Sequence, residues 1–174
     1  MTRRTRGREI ALQVLYQLEQ NPGQGPEEAD VFIQRRLREP KLCAFASTLI
    51  EGVREHQPRI DALISEVAEN WRLDRMAAID RNILRLGAYE LLYCPESVPA
   101  KVAINEALEL AKRYSTAQSS RFVNGILDRL QVAGAGQSST ATVSQDIDAE
   151  GGELAKEESS SEAAVPLIPP GEES

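Results

Sequence analysis

Four arginines crowd the first eight residues of the chain, and no acidic residue lies among them: Arg3, Arg4, Arg6 and Arg8. A guanidinium group is permanently charged and matches the geometry of a phosphate, so closely spaced arginines suit a nucleic-acid backbone. If each one neutralised a phosphate of a single strand, log affinity would fall with log salt at a slope of about −0.7 per contact. The pattern predicts a mobile basic arm that orders on a polyanion. An ordinary solubilising terminus is the alternative.

Two further side chains follow the arginines at helical spacing. Gln13 and Tyr16 lie off the main apolar stripe of the first predicted helix, which contains Ile10 and Val14. An amide and an aromatic ring beside a basic arm suit base recognition, because stacking a base on an aromatic ring contributes about 1–3 kcal/mol. Tyr16 could instead close the edge of the hydrophobic core.

The groups that usually carry acid–base or nucleophilic catalysis are scarce. His56 is the only histidine, and its place in the segment EHQP favours a solvated helix end. Cys43 and Cys94 are too few and too far apart for a disulfide framework or a thiolate metal site, which favours reduced thiols. No glycine-rich phosphate loop is present. The sequence therefore predicts a protein with no catalytic residues, no metal and no cofactor, although a site assembled in three dimensions stays open.

Apolar residues recur at helical spacing through most of residues 1–133, and no convincing alternating strand pattern occurs. This predicts an all-α body of about seven helices. The first is expected over about residues 8–19, the second after Pro26, the third after Pro40 and the fourth from Pro58. The fifth, over residues 74–93, carries apolar residues on more than one side and is expected to be central. The sixth begins at Pro99, and the seventh contains residues 122–130.

The net charge of −7 is unevenly distributed. Residues 1–133 hold 19 Lys and Arg against 18 Asp and Glu, a net of +1, whereas residues 134–174 hold one Lys against nine acids, a net of −8. The acidity of the whole chain is therefore no argument against a nucleic-acid partner. Residues 134–174 lack aliphatic periodicity, which predicts a disordered, low-complexity acidic tail. No membrane span or secretory signal is apparent, so the expected compartment is the cytoplasm.

Three segments read together resemble the NusB family of bacterial antitermination factors, which bind boxA RNA jointly with the ribosomal protein NusE. They are residues 6–17 (RGREIALQVLYQ), 79–93 (IDRNILRLGAYELLY) and 98–127 (VPAKVAINEALELAKRYSTAQSSRFVNGIL). They follow the family's order and spacing, and the third is the most specific. The resemblance implies two roughly perpendicular three-helix bundles that share a central helix, in agreement with the pattern of residues 74–93.

The resemblance also implies where RNA binds. In the family, the contacts come from the N-terminal arginines and the first helix, and from the start of the last helix. By motif position these contacts fall on Arg4, Arg6, Arg8, Gln13, Tyr16, Arg121 and Phe122, and Arg3 is added from the arginine cluster. Phe122 is equally suited to the core, because its spacing with Ile126 continues an apolar stripe. Gln118 stands where the family often has an acid, which could strengthen RNA binding.

The family's surface for NusE lies partly on the central helix, and the matching residues are Asp80 with Arg85, Tyr89 and Glu90 nearby. A carboxylate beside apolar neighbours needs exposure or a partner, which favours an interface position for Asp80. A simple surface charge is the alternative. The implied function is a non-catalytic factor, a monomer or weak homodimer. It would bring NusE and boxA-like RNA to elongating RNA polymerase and suppress termination in ribosomal RNA operons.

Two other functions stay open. The same fold occurs as the N-terminal RNA-binding domain of some ribosomal RNA methyltransferases, although no glycine-rich cofactor-binding half follows the helical body here. A purely protein-binding helical adaptor, whose arginines serve only solubility, is the other. Weak RNA binding that is indifferent to sequence, even with NusE present, would favour the adaptor.

Overall fold

The computed structural model describes residues 3–23, 25–69 and 71–138, with side chains up to residue 134. These residues form six α-helices and one short 3₁₀ turn at Leu73–Arg75, and they contain no strand. The helices are α1 (Arg3–Gln20), α2 (Pro26–Leu37), α3 (Pro40–Val67), α4 (Ala78–Tyr93), α5 (Ala100–Tyr114) and α6 (Ala117–Ser138). Within this described part, none of the helices is both long and apolar enough for a membrane crossing. The prediction of an all-α fold is confirmed.

Helix α4 lies at the centre of two groups of three helices. Helices α1, α2 and α3 contact one another, and α4, α5 and α6 do the same. Helix α4 also packs against α1 and α3, so both groups enclose it. Its residues Ile83, Leu84, Leu86 and Ala88 point to different sides and are all buried. The central helix expected from the apolar pattern of residues 74–93 is therefore present.

Residues 40–67 form one helix where the sequence predicts two, because Pro58 lies inside α3. A proline within a helix removes one backbone donor and clashes with the preceding turn, at a cost of about 3 kcal/mol. The buried residues of α3 keep one helical register across the proline, from Val53 to Ile60 and Ile64. Burial of both halves on one core offsets the local cost, so the predicted break at Pro58 is wrong.

Two other boundaries differ from the prediction. Helix α1 begins at Arg3, so the arginines lie on the helix itself and the predicted mobile arm is wrong for residues 3–8. Helix α6 continues to Ser138, so the disorder predicted from Gly134 is wrong for residues 134–138. A Cβ built at Gly134 would lie 3.3 Å from Leu92 Cδ2, which shows that α6 still packs on α4 there. The remaining predicted tail, residues 139–174, lies outside the described residues.

Helices α3 and α4 meet at Gly52, where no side chain can be accommodated. A Cβ there would lie 2.0 Å from Cζ of Tyr89 and 2.1 Å from its hydroxyl oxygen. The Tyr89 ring stacks with Tyr93 and His56, and the ring centroids of His56 and Tyr93 are 4.1 Å apart. His56 is thus half-buried in the middle of α3, not at the solvated helix end expected from its neighbours.

Replacing Gly52 by Ala should destabilise the fold by about 1–3 kcal/mol, because the added methyl overpacks the contact with Tyr89. Denaturant titration followed by circular dichroism measures the change in the free energy of unfolding. Gly125→Ala on α6 is the matched control, since a Cβ there meets nothing within 4 Å. The control should be neutral or gain up to about 1 kcal/mol from helix propensity. Equal stability of the two variants would contradict the close approach.

Candidate nucleic-acid and partner interface

Arg8, predicted to bind RNA, lies inside the protein. Its side chain is 3% exposed, and its Nε and Nη2 donate to both carboxylate oxygens of Glu90 at 2.8–3.1 Å. Its Nη1 lies 3.4 Å from Oε2 of Glu106, and the Phe45 ring covers the guanidinium with its centroid 5.4 Å away. A guanidinium enclosed in this way presents no surface to a phosphate. The structure therefore gives Arg8 another task, which is to join α1 to α4 and α5.

Three of the four residues predicted to meet NusE are also buried. Glu90 is 1% exposed and is occupied by Arg8. Arg85 is 6% exposed and donates to both carboxylate oxygens of Asp61 at 2.8 Å each. Tyr89 is covered by α3. These positions correct the prediction for Arg85, Tyr89 and Glu90, because α4 is enclosed by helices on the side where they lie and a partner cannot reach them in this conformation.

A second polar contact joins the end of α1 to the start of α4. Glu19 accepts hydrogen bonds from Arg81, whose Nε lies at 2.8 Å, and from the side-chain amide of Asn82. Since Arg8 pairs with Glu90 and Glu19 pairs with Arg81, the two helices run antiparallel in a defined register. The sequence analysis missed this contact because its partners are far apart in the chain.

The other three N-terminal arginines lie at the surface. Arg3 has a side chain that is 83% exposed and pairs with Glu39 at 3.2 Å. Arg4 is exposed, and Arg6, with 38% of its side chain exposed, donates to Glu9. An exposed pair such as Arg3 with Glu39 contributes about 0–1 kcal/mol, so another anion can replace the carboxylate at little cost. Arg3, Arg4 and Arg6 thus keep the accessibility that the RNA prediction needs.

Gln13 and Tyr16 line a mainly apolar groove of about 600 Å³, which we call the first groove. Tyr16 is 40% exposed, and Nε2 of Gln13 donates to the hydroxyl of Tyr114 at 3.2 Å. The floor and walls come from α1, α2, the start of α4 and the end of α5. The remaining lining residues are Leu12, Gln17, Phe32, Arg36, Ala77, Ala78 and Ile79.

Arg121 and Phe122 line a second groove of about 490 Å³ at the start of α6. Phe122 is half-buried, and its ring both packs on the core and lines the groove. This position is compatible with a core contact and with an RNA contact. Trp71, which is 56% exposed, lies against it with ring centroids 4.9 Å apart. The sequence analysis did not select Trp71, although a lone tryptophan between an asparagine and an arginine was a usable signal. Exposed Gln118 also lines this groove.

Asp80 is the predicted partner residue that reaches a groove. It is half-buried in the second groove, and its Oδ2 accepts a hydrogen bond from Ser119 Oγ at 2.9 Å. Its Oδ1 is buried without a hydrogen-bond partner. A buried carboxylate oxygen left unsatisfied costs free energy, so an incoming donor at this position would be favoured. Ala77, three residues before Asp80, lines both grooves and makes them neighbours.

The described residues offer little support for a metal site or a reactive thiol. They contain no group of three or more His, Cys, Asp or Glu arranged to hold a metal ion. Cys43 and Cys94 are half-buried free thiols. Burial raises the pKa of the Cys94 thiol above its ordinary value, so the reactive thiolate is disfavoured.

Comparison with known proteins identifies the class of protein to which this helical body and its arginine-lined grooves belong. The chain is 49% identical over 137 residues to the transcription antitermination protein NusB of Myxococcus xanthus (strain DK1622), covering 76% of this chain and 97% of that protein. It is 45% identical to the protein of the same name from Sorangium cellulosum (strain So ce56), covering 75% and 92%. Similarity at this level places the chain among the transcription antitermination factors.

The chain belongs to the NusB family, whose sequence model matches residues 5–132. Solved structures agree with this assignment. T. maritima NusB has a TM-score of 0.68 at 37% identity, covering 81% of this chain and 98% of that one. A crystal structure of the antitermination factors NusB and NusE in complex with double-stranded RNA has a TM-score of 0.67 at 27% identity, covering 76% and 98%.

Replacing Arg8 by Met should lower the free energy of unfolding by about 3–5 kcal/mol, because Glu90 is left as a buried carboxylate without its partner. The double variant Arg8→Met with Glu90→Leu removes both charges of the pair and should recover part of the loss, because Glu106 still loses its contact with Arg8. Urea titration at neutral pH measures each value. Arg3→Met, which removes an exposed pair, is the control and should cost about 0–1 kcal/mol. Equal losses for the two single variants would contradict an internal role for Arg8.

Proposed function

We propose that this chain is a non-catalytic antitermination factor that binds boxA-like single-stranded RNA together with NusE. In this proposal it carries both to elongating RNA polymerase in the bacterial cytoplasm and suppresses termination in ribosomal RNA operons. The observation that carries the proposal is a pair of adjoining grooves, both with apolar and aromatic linings, of which the first contains Arg36 and the second Arg75 and Arg121. A related crystal structure holds NusB and NusE with double-stranded RNA, which supports a protein partner and an RNA partner for this chain.

The RNA surface that we propose combines the exposed N-terminal arginines with the second groove. Arg75 and Arg121 bring positive charge to that groove, while Phe122 and Trp71 supply aromatic faces. Cations neutralise phosphates, and aromatic rings stack unpaired bases without strong sequence preference, so this combination is typical of single-strand binding. Gln118 adds no negative charge to the same groove, so that Asp80 is the acid among its lining residues.

The first groove has an apolar lining that suits a protein partner, and Arg36 adds one cation to it. Leu12, Phe32 and Ile79 give it an apolar lining, and Tyr16 stands exposed at its side. Apolar depressions beside an exposed aromatic ring are typical of interface centres, where tyrosine often contributes much of the binding free energy. We therefore propose that NusE occupies the first groove and extends toward Asp80. The RNA role predicted for Gln13 and Tyr16 is retained as an outcome of the experiment below.

Adjoining sites give a physical reason for joint binding. A strand in the second groove would pass close to a protein in the first groove, because both grooves share Ala77. Once one partner is bound, the other meets its second contact at high effective concentration, so the ternary complex is tighter than either binary complex.

The RNA surface can be tested by the dependence of affinity on salt. Replacing Arg4 and Arg121 together by Gln should reduce the salt slope for a short boxA-like RNA by about 1.4, at about 0.7 for each lost phosphate contact. Fluorescence anisotropy at several salt concentrations gives the slope. The matched control replaces Arg54 and Arg59, which are exposed on α3 and line neither groove, and should change the slope little. Equal effects of the two double variants would overturn this assignment.

The partner groove can be tested with Tyr16→Ala. Loss of the ring should weaken NusE binding in the absence of RNA at least tenfold, since interface aromatic anchors commonly contribute about 2 kcal/mol or more. Titration calorimetry measures NusE alone, and anisotropy measures RNA alone. If RNA affinity falls and NusE affinity does not, Tyr16 stacks a base and the assignment of the first groove to NusE is wrong. Val31→Ala, also an exposed apolar residue but outside this groove, is the control.

A further inference from the structure

A buried carboxylate joins two exposed arginines from different helices. The side chain of Glu9 on α1 is 1% exposed, and its Oε2 accepts a hydrogen bond from Arg6 one turn earlier. Its Oε1 accepts a hydrogen bond from the hydroxyl of Tyr114 and lies 3.0 Å from Nε of Arg113 on α5. Arg6 and Arg113 therefore stand side by side, one on each oxygen of the same carboxylate.

The cluster is built to keep Glu9 ionised. Burial alone would raise the pKa of Glu9, but hydrogen bonds from Tyr114 and Arg6 and the charges of Arg6 and Arg113 outweigh it, and the pKa lies below its usual range. Burial and the contact with Glu9 raise the pKa of Tyr114, so this hydroxyl stays protonated and continues to donate. Glu9 thus holds its negative charge beneath two positive ones, and the three groups together carry a net charge of +1.

We propose that Arg6 and Arg113 form a clamp for a phosphodiester group of the bound RNA and that Glu9 is the residue that positions them. This inference rests on the proposed RNA-binding function and adds to it a phosphate site that includes α5. Motif matching did not select Arg113, because a basic residue in the last turn of α5 suits the helix dipole and needs no further task.

Three features make a phosphate the fitting ligand. The Arg6 and Arg113 side chains are 38% and 52% exposed, so both reach solvent while Glu9 beneath them does not. Guanidinium groups bind phosphate oxygens through paired N–H donors, and two of them held in fixed positions lose less conformational freedom on binding. A phosphodiester carries one negative charge, which balances the net charge of the cluster. The clamp also adjoins the first groove, because Tyr114 accepts a hydrogen bond from Gln13 there.

The contribution of Arg113 can be measured against its neighbour in the chain. Arg113→Gln should reduce the salt slope for a labelled single-stranded RNA by about 0.7 and lower the affinity at low salt several-fold. Lys112→Gln removes the same charge from the same helical turn, where Lys112 is 62% exposed and pairs with Glu109 at 2.7 Å. Lys112→Gln should leave the slope unchanged. Arg113→Lys keeps the charge but not the paired donors, so its affinity should fall between those of the wild type and Arg113→Gln.

The positioning role of Glu9 can be tested with a variant for which general charge attraction predicts the opposite change in RNA affinity. Glu9→Gln removes a negative charge beside a polyanion, so general electrostatics alone would raise RNA affinity. If Glu9 positions the two arginines, affinity should instead fall, and a further Arg113→Gln change should cost less in the Glu9→Gln background than in the wild type. Thermal unfolding by circular dichroism sets a temperature at which all variants are folded.

The possible outcomes separate the clamp from the broader function. If the wild type binds RNA and Arg113→Gln behaves like Lys112→Gln, the clamp is overturned while the RNA-binding function stands. An increased affinity of Glu9→Gln overturns the positioning role. If the wild type shows no salt-dependent RNA binding, with or without NusE, the proposed function and the clamp are both wrong.

Discussion

The ion pair between Arg8 and Glu90 is the constraint on which the arrangement of the described helices depends. Two charges removed from water are tolerated only when their geometry is nearly ideal and hydrogen bonds join the two partners. Here the guanidinium meets both carboxylate oxygens at 2.8–3.1 Å, with a second acid, Glu106, within 3.4 Å. A slip of α1 along α4 would separate the charges inside the protein. The pair therefore selects one register, and the contact of Glu19 with Arg81 selects the same one from the other end.

The functional face of α1 follows from that register. With Arg8 turned inward, residues three and four apart on the adjoining side of the helix, namely Arg6, Glu9, Gln13 and Tyr16, form one stripe toward α5 and the first groove. A rotation of the helix by one residue would bring Gly7 or Glu9 to the position where Arg8 now meets Glu90, and the ion pair would be lost. The stability of the core and the position of the surface side chains proposed to meet RNA or NusE are thus consequences of the same buried contact, although different arginines carry the two tasks.

Sequence patterns predicted the helical class and the central position of α4 because apolar spacing reports directly on burial. They failed at Arg85 and Glu90, because a charged residue is predicted to be exposed unless a buried partner is known. The partner of Glu90, Arg8, lies 82 residues earlier in the chain. They failed at Pro58 for a related reason: the local cost of a proline was visible, but the packing of both halves of α3 was not. Arg113 was missed because its relation to Arg6 exists only through Glu9. In each case the deciding interaction joins distant parts of the chain.

A count of charges describes this protein poorly, because the fold sorts its cations into two populations. Arg8, Arg81 and Arg85 are paired inside with Glu90, Glu19 and Asp61, so their fields are largely cancelled where they arise. Arg3, Arg4, Arg6 and Arg121 stay at the surface, where Arg121 lines the second groove, and Arg113 is also exposed, above the buried carboxylate of Glu9. A body with a net charge of only +1 can therefore present a local positive surface strong enough for a polyanion. The strength of this positive surface depends on which arginines are buried with their carboxylate partners and which remain exposed to solvent.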